Sequence, residues 1–260
     1  MLSYQHLYHA GNLADLHKHA MLATALAYLA QKDKPLTYIE THAGRALYDL
    51  DAPAAIKTGE AAAARAAYDR LPADHPLARA LARTRRDHGP GAYPGSPLVA
   101  ALTLRPTDRL HLAELHPAEH AALTAAMARW PATVHRGDGT ALALSLAPPT
   151  PRRGLCLIDP SYEIKDDYRT LPATIGQLHR KWNVGVLMLW YPLLEGAPHA
   201  PMLDVLTAAH PAAMVHEVRF PPARPGHRMT GSGLFILNPP WALTGEAAHL
   251  TSLFATIPQA

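Results

Sequence analysis

The chain has 260 residues, 48% of them hydrophobic and 17% charged, enough for one sizeable α/β domain and too apolar for a disordered acidic or polybasic chain. Its formal charge of +3, with arginine supplying most of the basic residues, permits an anionic partner without requiring one. A single cysteine, Cys156, excludes an internal disulfide, no apolar run reaches membrane-spanning length, and no charged segment leads into an apolar signal core at Met1, so a reducing cytoplasm is the expected compartment.

In chain order, Asn12 to Ala30 reads as a helix whose Leu13, Leu16, Ala20 and Ala27 share one apolar stripe. Pro35 then breaks the chain, and Leu36 to Glu40 reads as a short buried strand ending at Thr41-His42-Ala43-Gly44. From Thr58 to Arg86 the chain is alanine-rich and helical, interrupted at Leu71-Pro72 and His75-Pro76. With Arg65, Arg70, Arg79, Arg83, Arg85 and Arg86 it reads as a helical insertion, 51–92, within a single domain spanning 1–260. Gly89 to Pro97 is turn-rich, and a helix over 98–104 is expected with Ser96 as its N-cap. Next come a strand at Arg109 to Leu115, a helix from Pro117 to Trp130, a strand at Thr133 to Arg136, a helix from Thr140 to Leu146 and a strand at Gly154 to Ile158. A helix from Tyr168 to Trp182 and strands at 184–190, 215–220 and 234–237 complete the alternation, which predicts an α/β fold with an open, mainly parallel sheet.

Open α/β sheets bind ligands outside the carboxyl ends of their strands, so those ends hold the candidate site. The first offers Gly44, where a cofactor can approach the backbone closely, although the segment lacks a G-x-G-x-x-G fingerprint. Glu114 closes the next strand, where an acid can accept both hydroxyls of a ribose or simply stand at the entry to a helix. Asp138, before Gly139, can cap the following helix or accept an adenine amino group. The fourth end reads Asp159-Pro160-Ser161-Tyr162 and gathers a carboxylate, a proline carbonyl and an aromatic ring within four residues.

Methyl transfer to an exocyclic amine calls for these groups. Such a nitrogen is a weak nucleophile because its lone pair is delocalised into the base. Acceptance of its hydrogens by Asp159 and the Pro160 carbonyl favours a more tetrahedral nitrogen, while Tyr162 stacks on the flipped base. The methyl donor then needs only in-line placement, and no metal is required.

The sequence resembles the RlmJ-type family of bacterial 23S ribosomal RNA adenine-N6 methyltransferases. The resemblance runs nearly end to end through Met1-Leu2-Ser3-Tyr4 with His6, His9-Ala10-Gly11-Asn12, Lys18-His19, Lys32-Asp33-Lys34-Pro35, Thr41-His42-Ala43-Gly44, Tyr93-Pro94-Gly95-Ser96-Pro97, Glu114-Leu115-His116-Pro117, Asp138-Gly139, Trp190-Tyr191-Pro192 and Asn238-Pro239-Pro240-Trp241. It implies a Rossmann-like methyltransferase fold using S-adenosyl-L-methionine, with His19, His42, Ser96, Glu114, Asp138 and Gly139 at the cofactor and Asp159 catalytic. It further implies Tyr4, His6 and Lys18 at the RNA, no metal, no membrane, and a monomer acting on protein-free 23S RNA or an early assembly intermediate. Two positions depart from the family pattern: Ser161 stands where proline is usual, and Ala46 where a second glycine follows the Thr-His-Ala-Gly turn, which predicts a shifted cofactor loop. Asn238-Pro239-Pro240-Trp241 also looks like an amine-methylation motif, but it follows the last strand and reads as a structural turn near the sheet edge.

Two rival classes remain at this stage. His6, His9, His17 and His19 are clustered as metal ligands of a hydrolase would be, but residues 17 and 19 point to different helix faces, whereas paired helical ligands sit four apart. A non-catalytic RNA-binding protein would use the insertion arginines and leave the Asp159 segment without a purpose.

Overall fold

The computed structural model describes residues 9–164, 166–222, 226 and 228–257. Tyr4 and His6 lie outside the described residues.

A seven-stranded sheet forms the centre. In chain order its strands are β1 (Thr37–Glu40), β4 (Arg109–Glu114), β5 (Ala132–Arg136), β6 (Gly154–Ile158), β7 (Val186–Leu194), β8 (Met214–Arg219) and β9 (Met229–Leu237). They are arranged β5-β4-β1-β6-β7-β9-β8. The first five are mutually parallel, and β9 runs antiparallel between β7 and β8. The strands flanking β1 follow it by opposite routes, so the topological switch lies at β1 and the ligand crevice is expected at the carboxyl ends of β1, β4 and β6.

Side chains alternate across this sheet. Tyr38, Leu112, Leu157, Met188 and Ile236 enter one core with helices α1 (Leu13–Ala30), α5 (Ser96–Thr103), α6 (Pro117–Met127) and α10 (Ala242–Ala255). Ile39, Cys156, Ile158, Leu189 and Phe235 enter the other with α7 (Gly139–Leu146), α8 (Asp167–Lys181) and α9 (Ala200–Ala209). Two short strands, β2 (Leu47–Asp49) and β3 (Ala92–Pro94), pair antiparallel apart from the main sheet. Between them lie α2 (Pro53–Thr58), α3 (Glu60–Tyr68) and α4 (Pro76–His88), of which α3 carries Ala64 and Tyr68, and α4 carries Leu77 and Leu81, into the same core as α1.

Several elements differ from the sequence reading. Helix α1 has no exposed polar face: Asp15, His17, Lys18 and His19 are buried along with Leu13, Leu16 and Ala20. Strands β7 and β9 each run nine residues, α9 and α10 are additional helices, and β3 lies within the turn-rich segment. Ser96 is not an N-cap. Gly95 takes that position, and the Ser96 hydroxyl turns inward to donate to Glu40. Asn238 sits not at a sheet edge but at the end of an internal antiparallel strand, which puts it at the opposite end of the sheet from the crevice. There its amide donates to the carbonyls of Asn183 and Gly185. No described helix is long and apolar enough to cross a membrane.

Candidate active site

A cavity of about 710 Å³ opens at the carboxyl ends of the parallel strands. It brings together every site residue named from the sequence within the described chain: Lys18 and His19 from α1, His42 and Gly44 after β1, Ser96, Glu114, Asp138 and Gly139, and Asp159, Pro160 and Tyr162 after β6.

Backbone geometry accounts for the side of the cavity nearest β1, β4 and β5. Both oxygens of Glu114 accept main-chain N–H groups, one from Gly44 at 2.9 Å and the other from His116 at 2.7 Å. Each carboxylate oxygen has two acceptor sites, so one remains on each for a pair of vicinal hydroxyls. Asp138 caps α7 through Oδ1, accepting from the N–H of Thr140 at 2.8 Å and of Ala141 at 3.0 Å. Its Oδ2 is unengaged among the described residues. Gly139 is required by packing, because a Cβ there would fall 1.8 Å from the Thr41 carbonyl oxygen. Helix α7 therefore starts flush against the end of β1. Gly44 has a φ of 61° and Ala46 one of 65°. Ala46 adopts the left-handed conformation a glycine would favour, and its carbonyl accepts from Gly95 N–H at 2.7 Å, so the loop is held without the second glycine.

The side nearest β6 and β7 is ionic and aromatic. The Lys18 ammonium, 4% exposed, lies 2.5 Å from Asp159 Oδ2 and 3.0 Å from Asp15 Oδ1, and 5.4 Å from the centre of the Trp190 ring. Burial alone would lower its pKa, but the two carboxylates outweigh burial and raise it. Asp15 is held in turn by the Gly11 N–H at 2.9 Å. Tyr162 has a φ of 56°, donates its hydroxyl to the Trp190 carbonyl at 2.7 Å and stacks on Tyr168 with ring centres 4.5 Å apart. Tyr168 thus covers one face of the Tyr162 ring.

His19 is fully buried, with Nδ1 2.8 Å from the Tyr93 hydroxyl, and Thr41 Oγ1 lies 2.8 Å from His42 Nδ1. Sequence reasoning missed Glu40, Asp15 and Trp190. Glu40 ends a buried strand at the switch point, a position that by itself signals a site. The side chain accepts from the hydroxyls of Tyr38, at 2.8 Å, and Ser96. Burial, against these two hydrogen bonds, pushes its carboxyl up to about 8.

Among the described residues, His9, His17 and His19 do not converge as metal ligands would. His17 bonds to Ser232 and His216, His19 to Tyr93, and His9 to Glu60. Among the described residues one trio, His75, Glu246 and His249, places donor atoms within 4.8 Å of one another. His75 Nδ1 accepts the Leu77 N–H at 3.1 Å, so its Nε2 carries the proton shared with Glu246 Oε1 at 3.1 Å, leaving that ring no lone pair for an ion.

A parallel sheet of this order, with an acid closing the strand beside β1 and Asp-Pro-Ser-Tyr closing β6, is that of a Rossmann-like S-adenosylmethionine-dependent methyltransferase. The described donor set fits that cofactor: paired acceptors on Glu114, a glycine-tight helix start at Gly139 and a left-handed turn at Gly44. The chain belongs to the family described as Ribosomal RNA large subunit methyltransferase D, RlmJ, whose model matches residues 33–257. It is 37% identical over 249 residues to "Ribosomal RNA large subunit methyltransferase J" of Escherichia coli (strain K12), covering 94% of this chain and 89% of that protein. Identity to the Haemophilus influenzae protein of the same name is 34% over 257 residues, covering 96% and 92%. A crystal structure of a Legionella pneumophila protein superposes with a TM-score of 0.82 at 34% identity, over 95% of this chain and 94% of that one.

Proposed function

We propose that the chain methylates the exocyclic N6 amine of a specific adenine in 23S ribosomal RNA, with the Asp159 to Tyr162 segment receiving the base. The observation that carries this reading is the Lys18–Asp159 pair at the end of β6, in one cavity with the doubly anchored Glu114. S-adenosylmethionine supplies the electrophilic methyl group.

The chain's own residues do the rest. Lys18 occupies Asp159 Oδ2, which leaves Oδ1 and the Pro160 carbonyl to accept the two amine hydrogens. Holding both hydrogens turns the nitrogen lone pair out of conjugation and toward the donor. Forming the N–C bond would break the bond from the methyl carbon to the donor's sulfonium sulfur, leaving a thioether, and the surplus amine proton would pass through the open mouth of the cavity to water. Tyr162, locked by Trp190 and backed by Tyr168, is a rigid platform for an unstacked base. Glu114 takes the ribose hydroxyls of the cofactor and Asp138 Oδ2 its adenine amino group, while His19, His42, Gly44, Ser96 and Gly139 line the remaining cofactor space. Lys18, with Tyr4 and His6, stands on the RNA side. The base must reach a recessed cavity, which favours protein-free RNA or an early assembly intermediate over a finished subunit. All the groups of this site come from one chain, so a monomer suffices, acting in the cytoplasm where ribosomal RNA is assembled.

The test is to incubate the protein and its Asp159→Ala variant with methyl-labelled S-adenosylmethionine and unmodified, deproteinised 23S RNA, then digest to nucleosides. Label in N6-methyladenosine with the unaltered protein alone is expected. Equal label from the variant would remove Asp159 from the chemistry, and label in another nucleoside would overturn the N6 assignment.

A further inference from the structure

Trp190 is the element through which the two sides of the acceptor site are held, and it has three separate attachments. Its carbonyl takes the Tyr162 hydroxyl at 2.7 Å, its ring lies 5.4 Å from the Lys18 ammonium, and its indole Nε1 donates to Ser232 Oγ at 2.9 Å. Ser232, on β9, is fully buried, and behind it a chain of polar groups crosses the core. Ser232 Oγ lies 2.8 Å from His17 Nδ1, His17 Nε2 lies 2.9 Å from His216 Nδ1, and His216 Nε2 lies 3.0 Å from Thr251 Oγ1 on the outer face of α10.

Proton counting fixes the direction of this chain. An indole N–H can only donate, so Ser232 Oγ accepts from Trp190 and spends its own hydrogen on His17 Nδ1. His17 must then carry its proton on Nε2 and give it to His216 Nδ1. His216 in turn donates from Nε2 to Thr251, whose hydroxyl passes on to the Ala247 carbonyl at 2.9 Å. The reverse assignment would leave the Ser232 hydrogen without an acceptor. Both rings are therefore neutral. Burial, and for His17 its neighbour His216, lowers their pKa values below the usual histidine range, with Glu246 and Glu217 opposing this at His216.

Such a chain is costly to bury unless every member is satisfied, and neighbouring β9 positions such as Leu234 and Ile236 fill the same core with plain apolar side chains. What it supplies is direction. His17 precedes Lys18 on α1, so the contacts His17–Ser232–Trp190–Lys18 close a ring that ties α1 to β9 and β7. We propose that Ser232 and His17 are positioning residues: they fix the Trp190 indole, and through it the Lys18–Asp159 pair, in the arrangement that methyl transfer uses. The kinetic part rests on the methyl-transfer reading above, whereas the anchoring of the indole does not.

Two measurements test it. In a 15N-labelled sample the Trp190 indole N–H signal is assigned by its loss in Trp190→Phe. It is expected to stay in place and resist solvent exchange in the unaltered protein and in His17→Asn, whose amide oxygen replaces Nδ1 as acceptor. It is expected to shift or exchange in Ser232→Ala and in His17→Gln, which reaches the Nε2 position instead. A signal unmoved in Ser232→Ala would overturn the anchoring.

The second measurement is turnover at saturating cofactor and RNA. Ser232→Ala and His17→Gln are expected to lose about ten-fold in kcat, since misplacements of an ångström or less cost rates of this order. The Kd for S-adenosylmethionine should be unchanged, and His17→Asn should stay within about two-fold of the unaltered rate. In a Trp190→Phe background the Ser232→Ala loss should vanish, because the hydroxyl no longer has an indole to hold. An equal loss in both backgrounds would mean that Ser232 acts by general packing and would overturn the proposal. If the unaltered protein makes no N6-methyladenosine, the reaction assignment fails, while the indole signal still decides the anchoring.

Discussion

Glu40 gives the stability of this protein a pH dependence that one substitution should remove. Its side chain is fully buried at the end of β1 and accepts hydrogen bonds from Tyr38 and Ser96. Burial raises its carboxyl from the ordinary 4.5 to about 8, with the two hydroxyls and Lys18 opposing and Asp159 adding to the rise. Between those values the folded protein keeps a proton that the unfolded chain has released. The stabilisation is complete below 4.5 and is lost as pH rises through about 8. At about 1.4 kcal/mol per pH unit, and with the folded group half titrated at pH 8, the loss between pH 6 and 8 amounts to about 2 kcal/mol. For a chain of this size that is a fall of about 5–9 °C in Tm. Glu40→Gln has no proton to lose, and its amide can donate to one hydroxyl and accept from the other, as the protonated acid does. Thermal unfolding at pH 6, 7, 8 and 9 should therefore show the variant gaining stability relative to the unaltered protein from pH 6 to 8, with the gain levelling off toward pH 9. Other groups titrate equally in both proteins and cancel in the difference. Parallel curves across that range would refute a proton resident on Glu40.

Glu114→Ala should weaken S-adenosylmethionine by at least about 100-fold by calorimetry, because hydrogen bonds to a charged acceptor contribute about 1.5–3 kcal/mol each and two hydroxyls lose theirs. Affinity within three-fold of the unaltered value would move the ribose elsewhere. Gly139→Ala places a methyl group 1.8 Å from the Thr41 carbonyl oxygen, so α7 must be displaced. It should cost about 2–3 kcal/mol in urea unfolding together with a loss of cofactor binding, whereas normal binding at unchanged stability would contradict the tight approach. On α4, Arg83 and Arg86 pair with Asp87 at 3.8 and 3.0 Å, yet both remain largely exposed. Replacing Arg83, Arg85 and Arg86 together by alanine should reduce the slope of log affinity for RNA against log salt by about 0.7–0.9 for each phosphate that is no longer neutralised. An identical slope would make these arginines bystanders.

Much of this site was legible because its chemistry is local. Asp159, Pro160 and Tyr162 are consecutive or nearly so, and Glu114 and Asp138 each follow a recognisable strand, so reading strand ends in order assembles most of the crevice. Three things resisted that reading. Asp15, His17, Lys18 and His19 look like the wet side of an amphipathic helix, and only the helices packed around α1 reveal that all four are buried. Trp190 and Ser232 belong to strands that run past the limits suggested by hydrophobic pattern, and their meeting depends on the antiparallel register of β7 and β9. Asn238-Pro239-Pro240-Trp241 has the composition of a catalytic turn, but the reversal of β9 carries it to the far end of the sheet, an outcome that strand direction decides and residue type does not.

The burial of α1 also bears on how the protein is made. His17 meets Ser232 across 215 positions of sequence, and α1 packs on α10 near the other end of the described chain. On the ribosome α1 emerges long before β9 and α10 exist to cover it, and a helix carrying two histidines, a lysine and an aspartate inward has no stable resting place meanwhile. Native docking of α1 thus rests on contacts of large sequence separation and needs β9 and α10 to be present. Since the same helix carries Lys18, a chain that lacks β9 and α10 cannot hold its acceptor site in this arrangement.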